Sequence, residues 1–327
     1  MAAEGLWPLA AAPPEALRLL GGARRAWSSG GPSWGTALLE ALVDGVRAGR
    51  LDGRLWAGPS GEAIALALWV PGTPAGRTVT VVLDEGFRAA APLAEFVARL
   101  GREPGAPALL ALGEPVPGLP PQLQADALRP LGFRRALRLD YRFPATAPLP
   151  PAPPPGTGIR RMTTADAPAL TRLWRAGYAD DPIERALARH AADPADDAAH
   201  EVALLLGGEL GPWWDDASFV VPDPAKPGEL LAGTVVNDHA GPLLTQVIVA
   251  PSARRRGLAR AVVAASVAAV RARGPEPLRL VVTLSNERAV ALYEALGFRP
   301  VPDTLGGYWF APAAFLPGEG PLGPPRR

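Results

Sequence analysis

Along the C-terminal half the spacing of apolar positions changes period several times, and each change marks an element. Residues 159–162 form a short apolar-basic run. Thr163-Thr-Ala-Asp166 follows, a capping-box pattern leading into apolar periodicity through Leu170, Leu173 and Trp174, so strand then helix is expected. Residues 180–216 read as a mixed, acidic stretch of helix and loop, and residues 218–221 as a short strand. Residues 230–236 and 243–249 are continuous apolar runs joined by Asn237-Asp-His-Ala-Gly241, whose turn chemistry predicts an antiparallel hairpin. Val263, Val267 and Val270 recur at helical spacing from Gly257 to about Ala272, where Gly274-Pro275 stop the helix. Residues 278–284 read as a buried strand. A second helix runs from near Asn286 to Gly297, a left-handed cap position, and Phe298 and Tyr308-Trp-Phe310 return to strand.

The N-terminal half repeats this order. Residues 62–70, a turn and residues 78–83 give strand, turn, strand. The helical stretch 87–100 then stands where 257–272 stands, and Ala127 to Phe133 echoes Ala291 to Phe298. A length of 327 residues itself favours two domains. Between the halves, residues 143–157 carry prolines at 144, 148, 150, 151, 153, 154 and 155. Such density cannot supply a sheet with donors and holds an extended form; it reads as a linker, with a proline-recognition ligand as the sharper alternative. The expected division is residues 1–143, a linker at 144–157, and residues 158–327.

Composition narrows the chemistry. Hydrophobic residues make up 48% and charged ones 20%, enough for a core in each half. With 33 basic against 32 acidic residues the net charge is +1, so no global field points to nucleic acid or an anionic membrane. The chain has no cysteine, which excludes disulfides, thiolate metal sites and cysteine nucleophiles, and His190, His200 and His239 are its only histidines, leaving little for a metal. The first basic residue is Arg18, Pro13 and Pro14 break the early Ala/Leu run, and the uncharged run 261–270 is half a membrane span. A cytoplasmic protein without membrane or nucleic-acid partners is expected.

The most informative stretch is residues 247–259, where a strand passes into Arg254-x-x-Gly257-x-Ala259 at the start of a helix. Small residues let the backbone approach a ligand, and the first N–H groups of a helix lack internal partners, so an anion fits there. No Gly-Lys-Ser/Thr follows, and two of the three glycines of a dinucleotide fingerprint are absent. A solvated basic patch or a nucleic-acid contact is the bland reading of Arg254, Arg255 and Arg256. Asn286 and Tyr293 are two helical turns apart, about 10 Å along one face, with Ala289 between them. Helix packing is the bland reading of Tyr293, an N-cap that of Asn286, and a turn residue that of His239; His190 and His200 read as surface residues.

These motifs resemble the GNAT N-acetyltransferase superfamily: Arg254-x-x-Gly257-x-Ala259 after Val249-Ala-Pro251, then Asn286-x-x-Ala289-x-x-x-Tyr293-x-x-x-Gly297-Phe298 about 30 residues on. The resemblance covers roughly residues 158–311. It implies an α/β (α+β) fold with a mixed, mostly antiparallel twisted sheet flanked by helices, and acetyl-CoA as co-substrate without a metal. Arg254, Arg255, Arg256, Gly257, Leu258 and Ala259 would hold the pyrophosphate. The strand Val247, Ile248, Val249 would pair with the pantetheine arm, which Asn286 and Ala289 would line. Tyr293 would protonate the leaving thiolate, its phenol being protonated at neutral pH by its ordinary pKa of about 10. Many members place a Glu on the preceding strand. Here that stretch is Leu244-Thr-Gln-Val247, with Thr245 nearest, leaving water, Asp238, His239 or Glu209 as routes for the proton.

The acceptor implied is a primary amine of a small molecule or peptide, on a monomer or homodimer. Between Asp180 and Asp223 eleven acidic residues face two basic ones; as a wall of the acceptor site they would favour a cationic amine, and a solvated helix face accounts for them equally. In the N-terminal half Asp84-Glu85-Gly86-Phe87 puts carboxylates where phosphate would bind. Two tandem GNAT-like domains with a degenerate first copy are expected, similar in layout to the mycothiol synthases. A catalytically inactive acyl-CoA-binding regulatory module is the alternative.

Overall fold

The structure is a computed structural model that describes residues 5–28, 35–69, 78–102, 111–154, 156–180, 194–209 and 211–311. The chain forms two compact units, one of Met1–Leu137 with Asp303–Arg327 and one of Arg138–Pro302. The first unit contains β1 (Gly5–Pro8), α1 (Pro13–Ser28), α2 (Gly35–Arg47), β2 (Asp52–Ala57), β3 (Ala63–Trp69), β4 (Thr78–Leu83), α3 (Ala90–Leu100), β5 (Ala111–Glu114), α4 (Pro121–Leu128) and the start of β6 (Arg134–Phe143). β1 to β4 are successive antiparallel neighbours. β4 and β5 are parallel, paired only at Thr78↔Ala111 and Val79↔Leu112. Every residue of β3 is buried, as a strand covered on both faces requires. Leu19, Leu20 and Leu39 of α1 and α2 pack with Leu66 and Leu68 on one side, and Phe96 of α3 packs with Trp56 and Leu112 on the other.

The second unit contains the remainder of β6, then β7 (Arg160–Arg161), α5 (Ala167–Tyr178), α6 (Pro194–Gly207), β8 (Phe219–Pro222), β9 (Leu230–Asp238), β10 (Pro242–Val249), α7 (Leu258–Arg273), β11 (Leu278–Thr283), α8 (Glu287–Leu296) and β12 (Arg299–Pro300). Its strand order is β6, β11, β10, β9, β8, β7, with β12 on the other side of β6. All its pairs are antiparallel except β10 with β11. One face packs on α7 and α8 through Leu244, Leu280, Val263, Val267, Tyr293 and Phe298. The other packs on α5 and α6 through Val235, Ile248, Leu170, Leu173, Trp174 and Leu205.

The periods of the C-terminal half place these elements within one or two residues of their ends. The capping box forms as its residue types require: Asp166 accepts from Thr163 N–H at 2.9 Å and from Arg160 at 2.6 and 2.8 Å. The Arg160 guanidinium holds the Asp166 carboxyl below its ordinary range. Gly297 closes α8 at φ 101°.

The compact units do not divide at the proline-rich segment. Residues 138–143 pair with β11 from Arg138↔Thr283 to Phe143↔Leu278, so the second unit begins before residue 143. The proline-rich segment belongs to that unit as well: Arg271 donates to Pro144 O at 2.8 Å, and Ala147 packs against the α7–α8 core. Conversely, the last strand, β13 (Gly306–Phe310), pairs with β5 and contributes Trp309 to the first unit's core. Ladder pairing over long sequence separations decided the boundary, and no local pattern carries it.

Candidate active site

β10 positions the site. Opposite β9 its register runs from Pro242↔Asp238 to Val249↔Ala232, with a bulge between Leu244 and Gln246. Thr245, the bulged residue, directs its hydroxyl to Val235 O and to Asn237 Oδ1 at 3.1 and 2.8 Å. Asn237 is fully buried, and its amide donates to Leu205 O and Gly211 O at 2.8 and 3.0 Å, so the bulge is held from both sides. Opposite β11 the ladder is a single pair, Leu243↔Arg279; beyond it the two parallel strands separate. Ala250 N–H bonds Leu231 O on the β9 side. Alternation along the strand then turns the peptide groups of Val247 and Val249 toward the gap.

The gap leads into the turn after β10. Arg255 has φ 62° and Gly257 φ 79°, both left-handed, and a Cβ on Gly257 would meet open space. Gly257 precedes α7, whose first internal bond is Ala261 N–H to Gly257 O at 3.0 Å. The N–H groups of Leu258, Ala259 and Arg260 are therefore free of the helix ladder at its positive end. Left-handed residues beside such N–H groups make an anion-binding concavity, and the exposed Arg255, Arg256 and Arg260 add charge.

Arg254 is engaged elsewhere. Its guanidinium donates to Asp180 Oδ2 and to Gly177 O, each at 2.9 Å, and its side chain is 34% exposed. It ties the turn to the C-terminal end of α5. Spacing alone could not reveal this, because Asp180 lies 74 residues away.

α8 supplies the rest. Asn286 is its N-cap, accepting from Ala289 N–H at 3.2 Å, so Asn286 and Ala289 meet at the helix start. Tyr293 is 8% exposed, packed edge-on to Phe298 with ring centroids 5.7 Å apart, in one apolar cluster with Val247 and Ala289. One residue escaped the motifs. Thr283, the last of β11, is 2% exposed, and its hydroxyl has no hydrogen-bond partner; it lies on the stretch of β11 beyond the single β10–β11 pair. Its only signal in the sequence is a polar residue ending an apolar run.

Asp238 and His239 lie at the hairpin turn, at the start of β10, where Asp238 Oδ1 accepts from Gly241 N–H at 3.1 Å. The length of the strand, about 24 Å at the usual rise, separates them from the Arg255 turn. Glu209 is exposed in the turn after α6. His200 is exposed; His190, Arg185, Arg189, Asp181, Glu184 and Asp193 lie outside the described residues. Among the described residues no group of three or more His, Cys, Asp or Glu could hold a metal, and no helix is long and apolar enough to cross a membrane.

The first unit presents the equivalent turn with opposite charge. After β4, Asp84 accepts from Gly86 N–H at 3.1 Å and from Arg18 at 2.7 Å. Burial alone would raise the Asp84 carboxyl, yet the Arg18 and Gly86 hydrogen bonds outweigh it and hold it below its ordinary range. Glu85 pairs with Arg25 and Arg88. The position an anion would take is filled by the chain's own carboxylates.

Residues 224–306 match the model of the FR47-like protein family. The chain is 36% identical over 175 residues to the mycothiol acetyltransferase of Salinispora arenicola (strain CNS-205), covering 51% of this chain and 53% of that protein. It is 32% identical over 176 residues to the mycothiol acetyltransferase of Thermobispora bispora. The chain thus spans about half the length of the curated relatives it matches. Among solved structures, a GCN5-related N-acetyltransferase from Sphaerobacter thermophilus superposes over 93% of this chain and 94% of its own, with a TM-score of 0.57 at 17% identity. A tandem GNAT protein from the clavulanic acid biosynthesis pathway superposes over 93% and 97%, with a TM-score of 0.51 at 17% identity. Two GNAT-type folds in tandem are the architecture, and the stretch that matches the FR47-like family lies within the second.

Proposed function

We propose that the second unit is an N-acetyltransferase that takes acetyl-CoA into the β10–β11 gap and moves its acetyl group to a primary amine of a small molecule or peptide. The observation that carries this reading is the unpaired edge of β10 running directly into the left-handed turn and the free N–H groups of α7. A thin amide-bearing arm pairs with Val247 and Val249 as an added strand, and its diphosphate rests on the N–H groups of Leu258, Ala259 and Arg260, with Arg255 and Arg256 beside them. Arg254 acts here as the anchor of the turn.

At the other end of the arm the amine attacks the thioester carbon directly. The Val247 N–H, aimed into the gap, polarises the carbonyl oxygen. As the C–N bond forms and the C–S bond breaks, the thiolate takes the phenolic proton of Tyr293, and the proton shed by the amine returns to solvent. The Thr245 hydroxyl is bound to Val235 O and Asn237 Oδ1, and we assign removal of that proton to water. This favours amines already neutral in part, and it is also what an inactive acyl-CoA-binding module would show. The first unit serves as a structural partner, since its Asp84 turn rejects a diphosphate.

Isothermal titration with acetyl-CoA, followed by CoA-release assays over a panel of amines, tests the reading. One equivalent should bind to the native chain and none to Gly257→Glu, whose thermal melt should show the fold retained. Tyr293→Phe should retain affinity and lose about 100-fold or more in kcat. Undiminished turnover in Tyr293→Phe overturns the general acid. No binding to the native chain overturns the whole reading, and binding without turnover on any amine leaves the inactive module.

A further inference from the structure

We propose that three arginines in a row across the second unit's sheet hold an anionic group of the acceptor, a carboxylate or a phosphate, so that the acceptor is a bifunctional molecule with its amine some distance from its anion. The position given to the amine rests on the acetyl-transfer reading; the anion site itself does not. Arg299 of β12 lies directly opposite Arg142 of β6, and Arg142 lies directly opposite Arg279 of β11. Side chains directly opposite in antiparallel ladders share a face. Their neighbours Tyr141, Phe143, Leu278, Leu280 and Phe298 all enter the α7–α8 core, so the arginines stand on the opposite face, in a row about 10 Å wide at the usual strand spacing.

Like charges directly opposite each other weaken a sheet, and among the described residues no ion pair relieves this row. Among the described residues no carboxylate forms an ion pair with any of the three, although Arg160, Arg172, Arg254 and Arg273 of the same unit each have one. Asp140, one pleat back on β6, and Glu276, beside the hairpin at Gly241, are the acids closest by position. Arg279 is oriented by bonds to the carbonyls of His239 and Ala240, the second at 3.0 Å, and Arg299 by a 3.2 Å bond to Phe298 O. Arg142 is exposed and makes no hydrogen bond among the described residues. Two guanidinium groups pinned by neutral carbonyls, with a third free between them, form a preset acceptor for a planar or tetrahedral anion.

The same face leads to the proposed reaction centre. Arg279, Val281 and Thr283 alternate along β11 on this side, Val281 is 38% exposed, and with the bulge in β10 counted Val247 comes level with the end of β11, next to Thr283. Three residue levels of strand separate the row from Val247, the β10 bulge counted, about 10 Å, so an amine at Val247 and an anion at the row belong to one molecule with the two groups on the order of 10 Å apart.

Two measurements test this. Heteronuclear NMR titration of the full chain with glutarate, and separately with inorganic phosphate, should shift the amides of residues 140–142 and 279–281, and the shifts should vanish in Arg142→Gln/Arg279→Gln. The absence of localised shifts overturns the anion site whether or not acetyl-CoA binds. In the CoA-release assay, ω-amino carboxylates of increasing length should exceed n-alkylamines of equal length by tenfold or more in kcat/KM at the longer lengths. That preference should collapse toward unity in the double variant and weaken with salt. Equal kcat/KM for the two series, with the NMR shifts present, overturns the assignment of the anion to the acceptor. Which anion shifts the amides at the lower concentration separates carboxylate from phosphate.

Discussion

At the scale of single residues, the side chains that define the site are those whose partners were chosen by the fold. Arg254 has the right spacing for a diphosphate contact, yet Asp180 and Gly177 O take its guanidinium. Thr283 shows the converse, a buried hydroxyl with no partner. Leaving it so costs about 1–3 kcal/mol. Thr283→Val, nearly isosteric, should therefore raise stability by about 1 kcal/mol in urea denaturation while lowering acetyl transfer; a gain in stability with unchanged turnover would make the hydroxyl a bystander. Asp166 carries a pH dependence. Its carboxyl is held below the ordinary range by Arg160 and by the Thr163 hydrogen bonds, which outweigh the opposing effect of burial, so the folded state binds a proton less readily than the unfolded one. Its stabilisation is complete above about pH 4, the unfolded value, and declines as pH falls through the lower folded value. Asp166→Asn should remove about 1–2 kcal/mol at pH 7 and flatten the acid limb of the stability profile.

At the scale of elements, the site depends on how α5 seats against β10. A Cβ on Gly177 would stand 2.5 Å from Ile248 Cγ2, and Tyr178 donates its hydroxyl to Gln246, so the last turn of α5 lies directly on the strand whose other edge forms the gap. Gly177→Ala should push α5 away and cost about 1–3 kcal/mol by overpacking, read as a lower Tm. The same shift should weaken acetyl-CoA binding, because Arg254 connects Gly177 to the turn. Gly274→Ala, where a Cβ meets open space, serves as the control and should change neither.

At the scale of the whole chain, each compact unit contains residues remote from it in sequence. β13 brings Trp309, 1% exposed, into the first unit's core, with Phe310 on the same strand. Truncation after Pro302 removes both, and losses of about 3–5 kcal/mol for each large aromatic are comparable with the whole stability of a unit, about 5–15 kcal/mol. Hydrogen exchange on the truncated chain should show β2 to β5 unprotected while β9 and β10 remain protected. Full protection of β2 to β5 would mean that β13 is dispensable to the first unit.

Periodicity, caps and turn residues determined the elements of the second unit and their order, because those signals act within a few residues: the capping box at Thr163, the hairpin at residues 237–241 and the cap at Gly297 are all local chemistry. The loop and helix motifs likewise singled out Gly257, Asn286 and Tyr293 as candidates for one site. Tertiary structure alone decided the rest. The β10–β11 gap depends on strands that pair once and then part, the Thr245 bulge on Asn237 reaching three segments, and the role of Arg254 on an aspartate 74 residues distant. The arginine row depends on the register of three strands, and the unit boundary on β13 closing against β5. Each is a contact between residues far apart in the chain, whose geometry is set by packing and ladder register and leaves no trace in the spacing of neighbours.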